Sequence, residues 1–172
     1  MNEALLIIDM QKYFYDLSPE IFNNKIIPNL KKQISVFRNS QKKIIHIRTI
    51  YSNDKSNWPK IRKSDSTIWC LENSGSEEYI LGFEPQKGEN EVIKTRYSSF
   101  FETNLGCILK EEKIEKLFIG GFSSDVCIRS TAFDAYNEGF EIFLLKDCMH
   151  SFKENFKDSL EYLEWVLKAK SV

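Results

Sequence analysis

Five short strand patterns, separated by helical ones, constrain this chain more than any other feature. The first, Ala4-Leu5-Leu6-Ile7-Ile8, is apolar without interruption and ends in Asp9. A run without alternation suits a strand buried on both faces, as in a parallel sheet. Ile44-Ile45-His46-Ile47, ending near Thr49, is a second strand, and Glu91-Val92-Ile93-Lys94 a short third. Lys116-Leu117-Phe118-Ile119, stopped by Gly120-Gly121, is a fourth, and Glu141-Ile142-Phe143-Leu144-Leu145 a fifth. Between strands one and two, Phe22, Ile26, Leu30, Ile34 and Phe37 recur near the helical period, with Pro28 early in the pattern. Thr103 is placed to cap a helix carrying Leu105, Ile108 and Leu109. Ser123 or Ser124 is placed to cap another that runs to about Glu138 and ends at Gly139. Ser151-x-x-Glu154 reads as a capping box opening a last helix, with Phe156, Leu160, Leu163 and Leu167 on one stripe. Alternating strands and helices predict a three-layer α/β/α fold: a mostly parallel, Rossmann-like sheet of five or six strands with helices on both faces.

At 172 residues the chain is expected to form a single domain, 1–172, large enough to need no disulfide. Its 24 basic and 25 acidic side chains leave a net charge of −1, so no basic balance marks nucleic acid or an anionic membrane as partner. The longest apolar run is far too short for a membrane span. Met1-Asn2-Glu3 enters the first strand at once, which argues against a signal peptide. The four cysteines form no CxxC pair, and a reduced, cytoplasmic protein is expected. Residues 51–90 are the least regular part, and a connection this long usually carries function or a small subdomain.

In such a sheet, ligands bind beyond the carboxyl ends of the strands, where the strand order switches. Asp9-Met10-Gln11 follows strand one, Lys94 closes strand three, Gly121-Phe122-Ser123-Ser124-Asp125-Val126-Cys127 follows strand four, and Asp147 follows strand five. An acid, a cation and a thiol are thereby expected on one rim. Cys127 falls in the first turn of a helix, where the macrodipole favours thiolate and unpaired N–H groups can form an oxyanion hole. Asp9 is a candidate base for it, and Lys94 a candidate partner for both. Cys70, Cys107 and Cys148 read as packing residues, since free cysteine is among the most buried types. His46 lies inside an apolar strand and reads as core; His150 reads as surface or rim. Two distant histidines without ligand spacing indicate no metal site, and neither a GxGxxG fingerprint nor a P-loop occurs, so no cofactor is expected. Phe14, Tyr97, Phe100 and Trp58 fall near the rim and are candidates to line a pocket for a small-molecule substrate.

Three segments resemble the isochorismatase-like cysteine hydrolases: Leu6-Ile7-Ile8-Asp9-Met10-Gln11-Lys12-Tyr13-Phe14, Val92-Ile93-Lys94-Thr95-Arg96-Tyr97-Ser98-Ser99-Phe100, and Gly120-Gly121-Phe122-Ser123-Ser124-Asp125-Val126-Cys127-Ile128, followed by Thr131-Ala132-Phe133-Asp134-Ala135 and Gly139. Pro85 and Gly88 fit the turn before the family's lysine strand, and Asp147 the acid after strand five. The resemblance runs in order along nearly the whole chain. It implies a triad of Asp9 as general base, Lys94 as stabilising cation and Cys127 as nucleophile. It also implies a cis peptide bond at Phe122–Ser123, with the Ser123 and Cys127 N–H groups forming the oxyanion hole. The implied reaction is hydrolysis of a small amide, ureido or carbamoyl group through a thioester. A homo-oligomer, dimer or tetramer, is implied as well.

The chain departs from the family's metal-binding nicotinamidases, which carry Asp-x-His after strand two. Here Arg48 is followed by Thr49-Ile50-Tyr51, so both ligand positions are lost and the resemblance is to the metal-free amidohydrolases. Only Ala169-Lys170-Ser171-Val172 remains where the family often adds a sixth strand. The alternatives left open are a metal-dependent nicotinamidase, an isochorismatase-type vinyl-ether hydrolase, and a non-catalytic binding protein on the same fold.

Overall fold

The structure, a computed structural model, describes residues 2–152 and 156–172. One parallel sheet forms from β1 (Asn2–Ile8), β2 (Lys43–Thr49), β3 (Asn90–Lys94), β4 (Ile114–Phe122), β5 (Glu141–His150) and β6 (Lys170–Ser171). Its order is β3-β2-β1-β4-β5-β6. The chain winds outward from β1 through β2 to β3, then returns to the other side of β1 as β4. The strand order therefore switches between β1 and β4, which opens a crevice at their carboxyl ends.

Burial in β1 shows why the run has no alternation. Ala4, Leu6 and Ile8 face one core with Leu117, Ile128 and Leu163, while Leu5 and Ile7 face another with Leu30, Ile34 and Phe37. Helices α1 (Lys12–Leu17), α2 (Pro19–Ile21) and α3 (Ile27–Asn39) lie before β2, and α4 (Leu105–Glu111), α5 (Cys127–Asn137) and α6 (Phe156–Leu167) come later. A π-helical stretch, Phe22–Ile26, joins α2 to α3. Pro28 in the first turn of α3 has no N–H for the ordinary i→i−4 bond, and this wider turn directly precedes it.

Several local expectations are corrected. Neither Ser123 nor Ser124 caps α5: its N-cap is Val126 and no side chain caps it. The Ser123 carbonyl instead accepts the Val126 and Ile128 N–H groups, at 3.3 and 3.0 Å. Asn104, not Thr103, is the N-cap of α4, although the Thr103 hydroxyl still accepts the Leu105 N–H at 3.2 Å. β5 does not end at Leu145. From Ile119↔Leu144 to Gly121↔Met149, β5 uses five residues against two of β4. This bulge leaves Asp147 exposed, its carbonyl tied to the Asn29 amide at 3.3 Å, and puts Met149 and His150 at the strand end instead. The sixth strand is present in two residues beside β5. Glu154 of the expected capping box, and Phe156 within the α6 stripe, concern side chains outside the described residues.

His46 is fully buried, and it is also paired. Its Nε2 lies 2.7 Å from Glu89, which takes both arms of the Arg38 guanidinium at 2.6 and 3.0 Å. Residues 51–90 hold a small apolar cluster of Tyr51, Trp58 and Ile68. Isolated bridges tie this segment back to the strand ends, Tyr51 to Leu71 and Gln11 to Tyr79. Among the described residues no helix is long and apolar enough to cross a membrane.

Candidate active site

Asp9, Lys94 and Cys127 converge at the switch point. Asp9 leaves β1 with φ +53, a region Asp tolerates better than most residues, and its N–H bonds the Ile47 carbonyl at 2.8 Å. Lys94 closes β3, two strands from β1, so its long side chain must cross β2 to reach Asp9. Nζ arrives 2.9 Å from Asp9 Oδ2 and 3.4 Å from Cys127 Sγ. Asp9 and Lys94 are almost entirely buried, and Cys127 is 7% exposed. The triad thus lies beneath the surface with the thiol as its opening.

Thr49, at the end of β2 and in register with Lys94, occupies the gap that Lys94 crosses. Its hydroxyl accepts from Lys94 at 2.8 Å and donates to Asp9 Oδ1 at 2.9 Å. Gln11 fixes Thr49 in turn: its amide oxygen accepts the Thr49 N–H and its amide nitrogen donates to the Thr49 carbonyl, both at 2.8 Å. The same nitrogen donates to the Glu77 carbonyl, so the irregular segment is pinned to the site. Asp9 Oδ2 accepts no aligned hydrogen bond among the described residues and meets Lys94 only as an ion pair. One carboxylate oxygen is held by Thr49, and the other faces the Lys94 ammonium.

Charge follows burial. Desolvation pushes the Cys127 thiol up to about 12, against the pull of Lys94. Desolvation works against the Lys94 ammonium too, but the Asp9 carboxylate and Cys127 outweigh it and hold Lys94 above the ordinary lysine range. Burial thus opposes ionisation of the thiol, and the Lys94 ammonium beside it favours it. Loss of water acts against the thiolate that the helix terminus favours.

The Phe122–Ser123 peptide bond is cis. Among the described residues the N–H groups of Ser123 and Cys127 make no hydrogen bond, while their neighbours Ser124, Val126 and Ile128 all do. Two free donors next to a thiol match what an oxyanion requires.

A cavity of about 190 Å³ opens over Cys127. Phe14, Tyr13 and Phe152 form one wall, Trp69 and Val126 line it further, and Arg62 and Tyr97 stand with them. Phe14 and Tyr97, both expected near the rim, line this cavity. Phe100 does not: its ring packs near Phe140, at 6.1 Å, against the core. Trp58 is buried in the Tyr51 cluster, and Trp69 takes the cavity position. Trp69, Arg62 and Thr49 carry no local signal of their role, since each reaches the site only through long-range contacts.

A protein-family model for the isochorismatase domain matches residues 3–169. The chain belongs to the isochorismatase family. It is therefore a member of a family of hydrolases, with the family's three-layer fold. A ureidoacrylate amidohydrolase of Agrobacterium fabrum is 28% identical over 177 residues, covering 89% of this chain and 78% of the relative. N-carbamoylsarcosine amidase from Thermoplasma acidophilum superposes with a TM-score of 0.82 at 26% identity, over 99% of this chain and 95% of that one. A pyrazinamidase of Pyrococcus horikoshii, solved in complex with zinc, has a TM-score of 0.84 at 25% identity, over 100% of this chain and 99% of that one.

The zinc of that neighbour prompts a test of fit. Among the described residues no three His, Cys, Asp or Glu side chains gather closely enough to hold a metal ion. At the end of β2 and just after it, where Arg48-Thr49-Ile50-Tyr51 stands, the Thr49 hydroxyl is committed to Asp9 and Lys94, and the Tyr51 hydroxyl donates to the Thr95 carbonyl at 3.0 Å. The residues present do not fit such a metal.

Proposed function

We propose that this protein hydrolyses a C–N bond of a small amide, ureido or carbamoyl compound through a thioester on Cys127. The observation that carries this reading is the contact of one buried ammonium, Lys94 Nζ, with both Asp9 at 2.9 Å and Cys127 at 3.4 Å. As Sγ attacks the carbonyl carbon, its proton passes to Asp9 Oδ2, and a C–S bond forms. Charge builds on the carbonyl oxygen, where the Ser123 and Cys127 N–H groups stand unpaired. The tetrahedral species collapses, the C–N bond breaks, and the leaving nitrogen takes the proton from Asp9. Water, deprotonated by the same carboxylate, then releases the acid and restores the thiol. Lys94 keeps its proton throughout and balances whichever of Asp9 and Cys127 is charged. The relatives named for ureidoacrylate and N-carbamoylsarcosine support this bond class.

The test is ammonia release from a panel of small amides and ureas, with intact mass after rapid quench. The expected result is an acyl adduct on Cys127 and loss of turnover in Cys127→Ala by about a thousandfold or more. Full activity in Cys127→Ala would overturn the reading.

The same proposal includes a homo-oligomer, dimer or tetramer, in a reducing cytoplasmic setting. Trp165 is 72% exposed near Tyr162, and Cys70, Cys107, Cys127 and Cys148 are all unpaired, which fits both. A strict monomer by mass at two concentrations would remove the first part.

A further inference from the structure

Asp125 stands in the turn that joins β4 to α5, between the cis peptide bond and Cys127, one residue before the N-cap of that helix. An acid there is placed to serve a helix terminus, yet no side chain caps α5. The Asp125 carboxylate instead accepts the Phe152 N–H through Oδ1, at 3.2 Å. Its neighbour Ser124 donates its N–H to the His150 carbonyl at 2.9 Å. Two successive residues of the turn thus hold the chain where it leaves β5. Phe152 ends this attachment and forms part of the wall of the cavity over Cys127. Its ring centroid lies 4.6 Å from that of Phe122 and 6.3 Å from that of Phe14, both edge-on. The ring is 49% exposed, so packing fixes one side of it only.

We propose that Asp125 is a positioning residue: it holds Phe152 as a wall over Cys127, and that wall limits the bulk of a molecule that reaches the thiol. A half-exposed ring gains only part of the contact that fixes a buried one, so its place depends on the backbone that carries it. A carboxylate accepting an N–H makes a stronger bond than a neutral acceptor. The bond joins residues 27 apart in the chain. It therefore sets the distance between the turn bearing the Ser123 and Cys127 N–H groups and the aromatic wall beside it. The consequence for substrate, a narrow limit on bulk beside the reacting carbonyl, rests on the hydrolase reading; the role of Asp125 in placing Phe152 does not.

The experiment is labelling of the full chain with iodoacetamide and with its bulky counterpart, N-tert-butyliodoacetamide, read at each cysteine by peptide mapping. For each reagent the Cys127 rate is divided by that of the exposed Cys107, and the two quotients are compared as bulky over small. A change in thiol ionisation moves both reagents equally, whereas a displaced wall moves their ratio. Asp125→Ala is expected to raise the ratio about tenfold, the range for one hydrogen bond to a charged group. Phe152→Ala, at a half-exposed ring, is the second variant and should raise it as far. Asp125→Asn keeps an acceptor oxygen and should stay close to the unaltered protein. Asp125→Ala combined with Phe152→Ala should rise no further than Phe152→Ala alone. The buried Cys70 and Cys148 report general loosening and should label at unchanged rates. An unchanged ratio in either single variant, multiplied effects in the double one, or a matching rise at Cys70 and Cys148 would overturn the proposal. Ammonia release by the unaltered protein separates the two readings. Labelling as expected without turnover of any amide or urea leaves Asp125 its role and removes the hydrolase. Turnover with an unchanged ratio does the reverse.

Discussion

The Thr49 hydroxyl donates to Asp9 Oδ1 over 2.9 Å, and through this one bond β2 decides which oxygen of the β1 carboxylate is free. The bond exists because Thr49 also accepts from Lys94, which fixes the direction of its proton. Thr49→Val keeps the shape and removes both bonds. Each buried group left unpaired costs about 1–3 kcal/mol. We expect stability to fall by that order and kcat by about tenfold or more, as Asp9 gains a second orientation. Thr49→Ser should recover most of both. Parallel urea melts and steady-state kinetics on the three proteins check this; a fully active Thr49→Val would remove Thr49 from the site's design.

Asp9 and Lys94 form a buried ion pair, so each protects the other. Removing one partner of such a pair typically costs about 3–5 kcal/mol, because a charge is left in a low-dielectric interior. Lys94→Met and Asp9→Asn are each expected to show a loss of this size. The double variant should lose less than the sum, and it should remain inactive. A double-mutant cycle by chemical denaturation measures the coupling; strict additivity would contradict the pairing.

Burial pushes Cys127 and Cys148 up to about 12, and Cys70 further in the same direction. A thiol whose folded pKa is raised binds its proton more tightly folded than unfolded. Its contribution to stability is fully present below the unfolded value, near 8.5, and is lost as pH rises towards the folded one. Stability should therefore decline above about pH 8.5, by up to roughly 1.4 kcal/mol per pH unit for each thiol. Cys127→Ala should flatten that slope by one thiol's share. Iodoacetamide at pH 8 should label the exposed Cys107 first and the other three slowly, which peptide mapping will show.

Gly121 sits at φ +119, where a Cβ would lie 2.0 Å from the Ile8 carbonyl oxygen. That oxygen belongs to the backbone of β1, one residue before Asp9, so it cannot swing aside. Gly121→Ala should force β1 and β4 apart at the crevice. A loss of about 3 kcal/mol or more is expected, or failure to fold. Thermal unfolding of Gly121→Ala beside Gly139→Ala is the check. Gly139 also has positive φ but open space around it, so only the milder conformational penalty applies there.

Strand identity was legible because it depends on short-range pattern. Ala4–Ile8 is apolar at every position, and only a strand covered on both faces uses such a run. Cys127, Asp9 and Lys94 were legible as strand-end residues and as matches to a known family. Their mutual distances were not, since these follow from strand order. The capping serines failed for a related reason. Ser123 and Ser124 are good caps in isolation, but the turn from β4 into α5 gives the helix a backbone acceptor in the Ser123 carbonyl and, among the described residues, leaves both hydroxyls without a partner. Asp147 looked like a strand-end acid until a bulge extended β5 past it, and a bulge is a property of two strands, not one.

The sequence by itself determined the layers, the parallel sheet and the three residue types at its rim, because hydrophobic period and chain order act locally. The tertiary structure alone decided that Thr49 would join Asp9 to Lys94, that Trp69 and not Trp58 or Phe100 would line the cavity over the thiol, and that burial would push the Cys127 thiol up. Those outcomes depend on which side chains come to exclude water from one another, and that is settled only when distant segments pack.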